Sequence, residues 1–164
     1  MTIIQPAPSD RREILALFRD IRLSLALQGI RQWDRWYPNR WVIGRDLNCR
    51  NVHAIMDDGR IAGVVTLNTR QSSRYADIAW HGDSYACIHR LAVLPACQGR
   101  GIGGRLLKHA EDTARARGYA SIRLDVCSAN PGAANMYLRA GYTILGSIRY
   151  PFRPAPYLCC EKML

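Results

Sequence analysis

Residues Leu91–Tyr119 read LAVLPACQGRGIGGRLLKHAEDTARARGY, and the reading of this stretch decides the fold. Its centre contains G-x-G-x-x-G at Gly99, Gly101 and Gly104, and an acid, Asp125, follows 21 positions after the last glycine. On paper that is a dinucleotide-binding fingerprint. The layout speaks against it. A dinucleotide fold puts its glycine loop at the first strand turn, with further βα units to follow. Here about three fifths of the chain precedes the loop, and only 39 residues follow Asp125. Pro95, Ala96 and Cys97 also separate the preceding apolar run from the first glycine.

A second reading starts at Gln98. Glycines let the backbone approach a bound anion closely, and amides exposed at the start of a helix point out of its positive end. A pyrophosphate fits there, and Arg100 and Arg105 can add charge. A glycine-rich helix entry with no ligand is the alternative, but four glycines in six residues are costly in chain entropy.

Working outward, the run YACIHRLAVL before the loop reads as a buried strand ended by Pro95. After the loop, Gly103 to Arg117 reads as a helix with Ile102, Leu106, Leu107 and Ala110 on one side and Gly118 as its stop. ASIRLDVC is a strand, and NPGAANMYLRAG is a short helix from Pro131 to Gly141. YTILGSIRY and PYLCCEKML can close the sheet as an antiparallel pair. Towards the N-terminus, a D-x-x-E box at Asp10 and Glu13 opens a helix that stops at Gly29, and a second helix covers Val42 to Cys49. NVHAIM and RIAGVVTLN flank Asp57, Asp58 and Gly59, which is a hairpin signal.

The 164 residues are read as a single domain, 1–164, with the 48% hydrophobic and 22% charged composition of a globular protein. No apolar run has the length of a membrane span and the N-terminus lacks a leader pattern, so the expected location is cytoplasmic, with no membrane partner. The six cysteines contain no C-x-x-C pair and no zinc-like Cys/His spacing, so neither disulfide nor metal is expected. A net charge of +10 invites polyanions, but the arginines are scattered from Arg11 to Arg153. That distribution suits a small anionic cofactor as well as a nucleic acid, and charge alone decides nothing.

Two blocks in this order resemble the GNAT superfamily of N-acyltransferases. Gln98, Gly101 and Gly103 fill its R/Q-x-x-G-x-G/A signature, and Asn130, Tyr137, Gly141 and Tyr142 resemble its second signature. The resemblance extends over roughly residues 51 to 164. It implies an α/β fold of the α+β type, a mixed and mostly antiparallel sheet with helices on both faces, split around the strands after residues 85 and 119. It implies acetyl-CoA as cosubstrate in that split, with no metal, and direct transfer to a primary amine. By resemblance the strand carries a bulge from Arg90 to Val93, whose amides (Leu91, Ala92, Val93) bind the pantetheine arm and acyl oxygen. The pyrophosphate falls to Gln98, Gly99, Arg100, Gly101, Ile102, Gly103 and Gly104, and the pantetheine amides to Asn130.

The resemblance assigns Tyr137 as general acid to the leaving thiolate, and also places it against the cofactor. His89 alternates with Cys87, Leu91 and Val93 on one strand face, and its imidazole suits a general base; a hydrogen-bonded core histidine is the competing reading. Many members carry a glutamate on this strand, and this chain has none between Tyr85 and Leu94, which leaves Asp125 and ordered water as substitutes. Trp33, Trp36, Tyr37 and Trp80, with Tyr75 and Asp125, are read as an acceptor pocket or as core aromatics. Asp34, Asp77 and Asp83 among them could attract a cationic amine or serve as surface charge. An antibiotic, polyamine, amino acid, peptide N-terminus or lysine fits equally. Three rivals stay open: a non-catalytic acyl-CoA sensor of the same fold, an acetyltransferase of a ribosomal or protein N-terminus, and a basic RNA-associated protein. The last strand, if exposed, could pair two copies into a homodimer.

Overall fold

A computed structural model describes all residues, Met1 to Leu164. Seven strands and four α-helices follow one another along the chain: β1 (Thr2–Ile4), α1 (Arg11–Leu27), α2 (Arg40–Asn48), β2 (Val52–Asp57), β3 (Arg60–Asn68), β4 (Tyr85–Val93), α3 (Ile102–Ala116), β5 (Ser121–Cys127), α4 (Pro131–Arg139), β6 (Thr143–Ile148) and β7 (Tyr157–Met163). The strand order is β1-β2-β3-β4-β5-β7-β6. The pairs β1–β2, β2–β3, β5–β7 and β6–β7 are antiparallel, and β4–β5 is parallel. The sheet is therefore mixed and mostly antiparallel. The chain forms two compact units, Met1–Leu67 with Arg90–His109, and Asn68–His89 with Ala110–Leu164.

In the first unit α1 buries Ile14, Leu17, Phe18 and Ile21, a 3.6-residue stripe, in a core shared with Ile43 and Leu47 of α2 and Val64 of β3. The capping box expected at its start does not form. The Asp10 carboxylate accepts from Ala7 N at 2.8 Å, and Glu13 Oε1 accepts from Ile61 N at 2.7 Å. Glu13 thus fastens the helix to β3, a tertiary use that a local motif cannot reveal. Helix α2 begins two residues before its expected start, because Asn39 Oδ1 accepts from Trp41 N and Val42 N, both at 3.0 Å. Gly63 admits the Ala92 carbonyl so closely that an added Cβ would stand 2.9 Å from it.

In the second unit β5 pairs along its length with β7, from Ser121↔Met163 to Cys127↔Tyr157. The parallel β4–β5 ladder covers Tyr85↔Ser121 to Cys87↔Arg123. A buried carboxylate organises this unit: Glu161 accepts from His81 N at 2.6 Å, Ser121 Oγ at 2.8 Å and Arg123 Nε at 3.1 Å. Burial pushes its pKa up, but these donors, with Gly82 N, outweigh burial and hold it below the usual carboxylate range. The last strand is not exposed for pairing with another copy. β7 is bonded to β5 on one side and β6 on the other, because β6 and β7 form a hairpin whose second arm inserts beside β5.

Candidate active site

The glycine loop belongs to the first unit. Gly99 and Gly101 both have φ of 76°, a left-handed conformation costly for residues with a Cβ. A Cβ added at either, or at Gly104, would meet nothing within 4 Å. The glycines are therefore required by backbone conformation, and the space beside them is open. The helix's first i→i−4 bond runs from Arg105 N to Gly101 O at 3.0 Å, so the amides of Ile102, Gly103 and Gly104 precede the ladder. These residues could hold a pyrophosphate by backbone alone. The Ile102 side chain is 1% exposed and serves the core, which leaves only its amide for a ligand. Gln98 Nε2 donates to Val93 O at 3.2 Å, tying the loop to the end of β4. Arg100 is turned to the hairpin, where Nη1 pairs with Asp57 Oδ2 at 2.6 Å.

Arg90, at the start of the segment where a bulge is expected, has φ of 51°. A left-handed residue inside a strand breaks strict two-residue alternation, so Leu91 and Val93 do not simply continue the face of His89. Ala92 is buried, and Leu91 and Val93 are half-buried. The Arg90 side chain runs inward to Asp46 of α2, a pair with side-chain exposures of 6% and 1%, and Arg90 Nη1 donates to Tyr37 Oη at 2.7 Å. Nothing in the sequence pattern singled out Asp46, a polar residue on the buried face of a short helix. Only that placement marks it as the partner of a buried cation.

His89, Tyr137, Asp125 and Asn130 lie in the second unit. His89 Nε2 faces two oxygens, Asn68 Oδ1 at 3.1 Å and Arg70 O at 2.9 Å. Asn68 Oδ1 also accepts from Arg70 N at 2.8 Å, which fixes the amide's orientation. The neutral imidazole assigned from this network carries its proton on Nε2, so a base function would fall to Nδ1. Tyr137 is buried on α4, its ring edge-on to Tyr142 with centroids 5.6 Å apart. Burial first, and the carboxyl of Asp125 second, push its phenol well above the ordinary value, so it stays protonated at neutral pH. Asp125 accepts from Tyr150 Oη at 2.5 Å, and burial raises its pKa against the lowering effect of the Tyr150 and Tyr75 hydroxyls. Asn130 caps α4, accepting from Ala133 N at 3.1 Å. Burial pushes the Cys87 and Cys159 thiols up to about 12 and Cys160 up to about 11, so none offers a thiolate nucleophile near neutrality.

The predicted aromatic cluster divides between the units. Trp33 and Trp36 line a cavity of about 420 Å³ with Phe18, Pro38 and Trp41, all in the first unit. Tyr37 is beside it, bonded to Arg90. Trp80 belongs to the second unit, where its Nε1 donates to Tyr75 O at 3.2 Å and Arg123 lies over its ring. Asp34 Oδ1 accepts from Trp36 N at 2.7 Å and Tyr37 N at 2.9 Å, a turn-forming use of the carboxylate.

A glycine loop at the start of α3 thus follows a strand that carries a left-handed residue. Residues 16–142 match the model of the acetyltransferase (GNAT) family, and the chain belongs to that family. The match reaches back into α1, beyond the part that the motifs covered. Streptothricin acetyltransferase of Streptomyces lavendulae is 33% identical over 103 residues, 63% of this chain and 49% of that protein. The chain thus spans about half the length of that curated relative. A GNAT-family acetyltransferase structure from Streptococcus agalactiae superposes with a TM-score of 0.85 at 22% identity, covering 99% of this chain and 95% of the other. An acetyltransferase of Salmonella typhimurium, solved with its cofactor acetyl-CoA, superposes with a TM-score of 0.72 at 18% identity, covering 100% and 94%. No helix is long and apolar enough to cross a membrane.

Proposed function

We propose that the chain transfers the acetyl group of acetyl-CoA to a primary amine by direct attack in a ternary complex. The observation that carries this reading is the loop: two left-handed glycines with open space beside them, at the unladdered amides of α3. A pyrophosphate held there needs no side-chain charge, which accords with Arg100 being paired to Asp57. The amides of Leu91, Ala92 and Val93, beyond the left-handed Arg90, take the pantetheine arm, and Val93 N polarises the acyl oxygen. Asn130, already capping α4, contributes to the pantetheine amides with its remaining donor capacity.

In the transfer the amine nitrogen bonds to the acyl carbon, the carbon–sulfur bond breaks, and the sulfur takes a proton from Tyr137 Oη. A phenol kept protonated by burial is suited to that donation. The amine's proton leaves through His89 or water; Asp125 accepts from the hydroxyl of Tyr150. The raised thiols of Cys87, Cys159 and Cys160 favour direct transfer over a covalent acyl-enzyme. The location proposed for this reaction is the cytoplasm, where the cosubstrate is supplied.

Thiol release from acetyl-CoA with a panel of amines tests the reading. The Tyr137→Phe variant should lose about 100-fold in turnover while its acetyl-CoA Kd stays within twofold. Unchanged turnover removes Tyr137 from the role. Acetyl-CoA binding without thiol release for any amine replaces the enzyme with an acyl-CoA sensor.

A further inference from the structure

The cavity between α1 and the segment 33–41 carries a charge pattern that the proposed reaction does not use. Its lining includes four guanidinium groups, Arg19, Arg22, Arg35 and Arg40, against one carboxylate, Asp34. Arg19 is paired with Asp20 at 3.0 Å on the surface, and Arg22, Arg35 and Arg40 give the lining an excess of positive charge over Asp34. Asp34 accepts two backbone amides through Oδ1, so its carboxylate also serves the local turn.

Two of these arginines are held face-on. Arg35 lies 4.5 Å over the ring centre of Trp36, and Arg40 lies 4.5 Å over that of Trp41. Stacking occupies the guanidinium face and leaves its N–H edges to donate. The two indoles remain 69% and 71% exposed, an unusual state for tryptophan unless a ligand covers them. The wall is stiffened by its own bonds: Asn39 Nδ2 donates to Trp36 O at 2.9 Å, and Trp33 packs edge-on to Phe18 with centroids 5.2 Å apart. It is fastened to the left-handed residue of β4 through the Arg90–Tyr37 bond. A concave site of about 420 Å³ lined by aromatic rings and by four guanidinium-bearing residues has the chemistry to take an acidic group.

We propose that this cavity holds an acidic group of the acceptor, a carboxylate or a phosphonate or phosphate carried on the same molecule as the reacting amine. The proposal rests on the acetyltransferase reading and names its acceptor class: an amine with an acidic tail, rather than a polycation.

The test compares β-alanine, 3-aminopropylphosphonate and propylamine, three amines of similar length that differ in the tail. Thiol release is measured for each, and tryptophan fluorescence is titrated separately with each amine in the absence of acetyl-CoA. Three of the four tryptophans, Trp33, Trp36 and Trp41, line the cavity, so the second readout reports occupancy without turnover. At least one acid-tailed amine should show a KM about tenfold or more below that of propylamine, since one charge-assisted pair is worth roughly that factor. The ratio between β-alanine and 3-aminopropylphosphonate then distinguishes a carboxylate from a phosphonate site. The advantage should fall to within about threefold in Arg22→Gln/Arg35→Gln/Arg40→Gln, with the Kd for acetyl-CoA unchanged. The single variant Arg40→Gln, at an exposed position, gives the same test in part should the triple variant fail to fold. Equal use of propylamine, or an acid preference that survives the triple substitution, overturns the proposal while leaving the acetyltransferase reading intact. A fluorescence change with 3-aminopropylphosphonate that the triple variant abolishes, without thiol release from any amine, keeps the anion site and overturns the acetyltransferase reading.

Discussion

Replacing Asp46 by Asn tests the contact between α2 and the left-handed Arg90, at the cost also of a longer pair with the half-exposed Arg45. Asp46 and Arg90 have side-chain exposures of 1% and 6%, so solvent screens their interaction little. The substitution keeps the shape but leaves the Arg90 guanidinium buried without a counter-charge. Breaking a buried pair from one side costs about 3–5 kcal/mol. The Asn carbonyl can still accept one hydrogen bond, and Tyr37 Oη remains a partner at 2.7 Å, so the lower end, about 3 kcal/mol, is expected. For a chain of this length that is a fall in Tm of about 6–12 °C. Urea unfolding followed by circular dichroism measures the first quantity, and a thermal scan the second. Arg90 also holds φ of 51°, which costs a non-glycine residue about 1–2 kcal/mol and must be maintained by its contacts. Loosening them should therefore weaken acetyl-CoA binding several-fold as well. The double variant Asp46→Leu/Arg90→Met, which removes both charges, should be more stable than Asp46→Asn alone. A loss below about 1 kcal/mol for Asp46→Asn, or a double variant less stable than the single, would refute the reasoning.

Other outcomes follow from the same geometry. Gly101→Ala should cost about 1–2 kcal/mol in stability from its positive φ alone, since its Cβ meets no atom, while acetyl-CoA affinity by calorimetry falls at least about tenfold; unaltered affinity would remove the loop from the binding site. Glu161 has a folded pKa below its unfolded value of about 4.3, so its contribution is present above that pH and lost as pH falls through the folded value. Glu161→Gln should consequently be less stable than the parent at pH 7, by about 3–5 kcal/mol, and the two urea midpoints should converge as pH falls through the folded value. A gap that stays constant down to pH 2 would mean that the carboxylate's charge contributes nothing.

The order of elements was legible from local pattern because each signal is set by nearest neighbours in the chain. Gly118 and Gly141 stop helices at positive φ, and Asp58–Gly59 turns a hairpin, as their letters suggest. Gly99 and Gly101, read as letting the backbone approach an anion, both take positive φ. Charge-bearing side chains were not legible in the same way, because their partners are distant in sequence. Glu13 reaches β3 instead of closing a capping box, Asp34 accepts the amides of a turn, and Arg100 pairs with Asp57. The insertion of β7 between β5 and β6 was equally invisible, since a hairpin has two edges and strand sequence does not say which edge docks.

The sequence alone therefore determined the family, the backbone of the glycine loop and the nature of the groups at hand. Those properties are local: dihedral preference, periodicity and chemical type. Tertiary structure decided which of those groups are engaged. It committed His89 Nε2 to Asn68 and Arg70, tied Arg90 to Asp46, and gathered Arg22, Arg35 and Arg40 around one cavity with a single carboxylate, Asp34. The physical reason is that hydrogen bonds and charge pairs act over a few ångströms in space, whatever the distance along the chain.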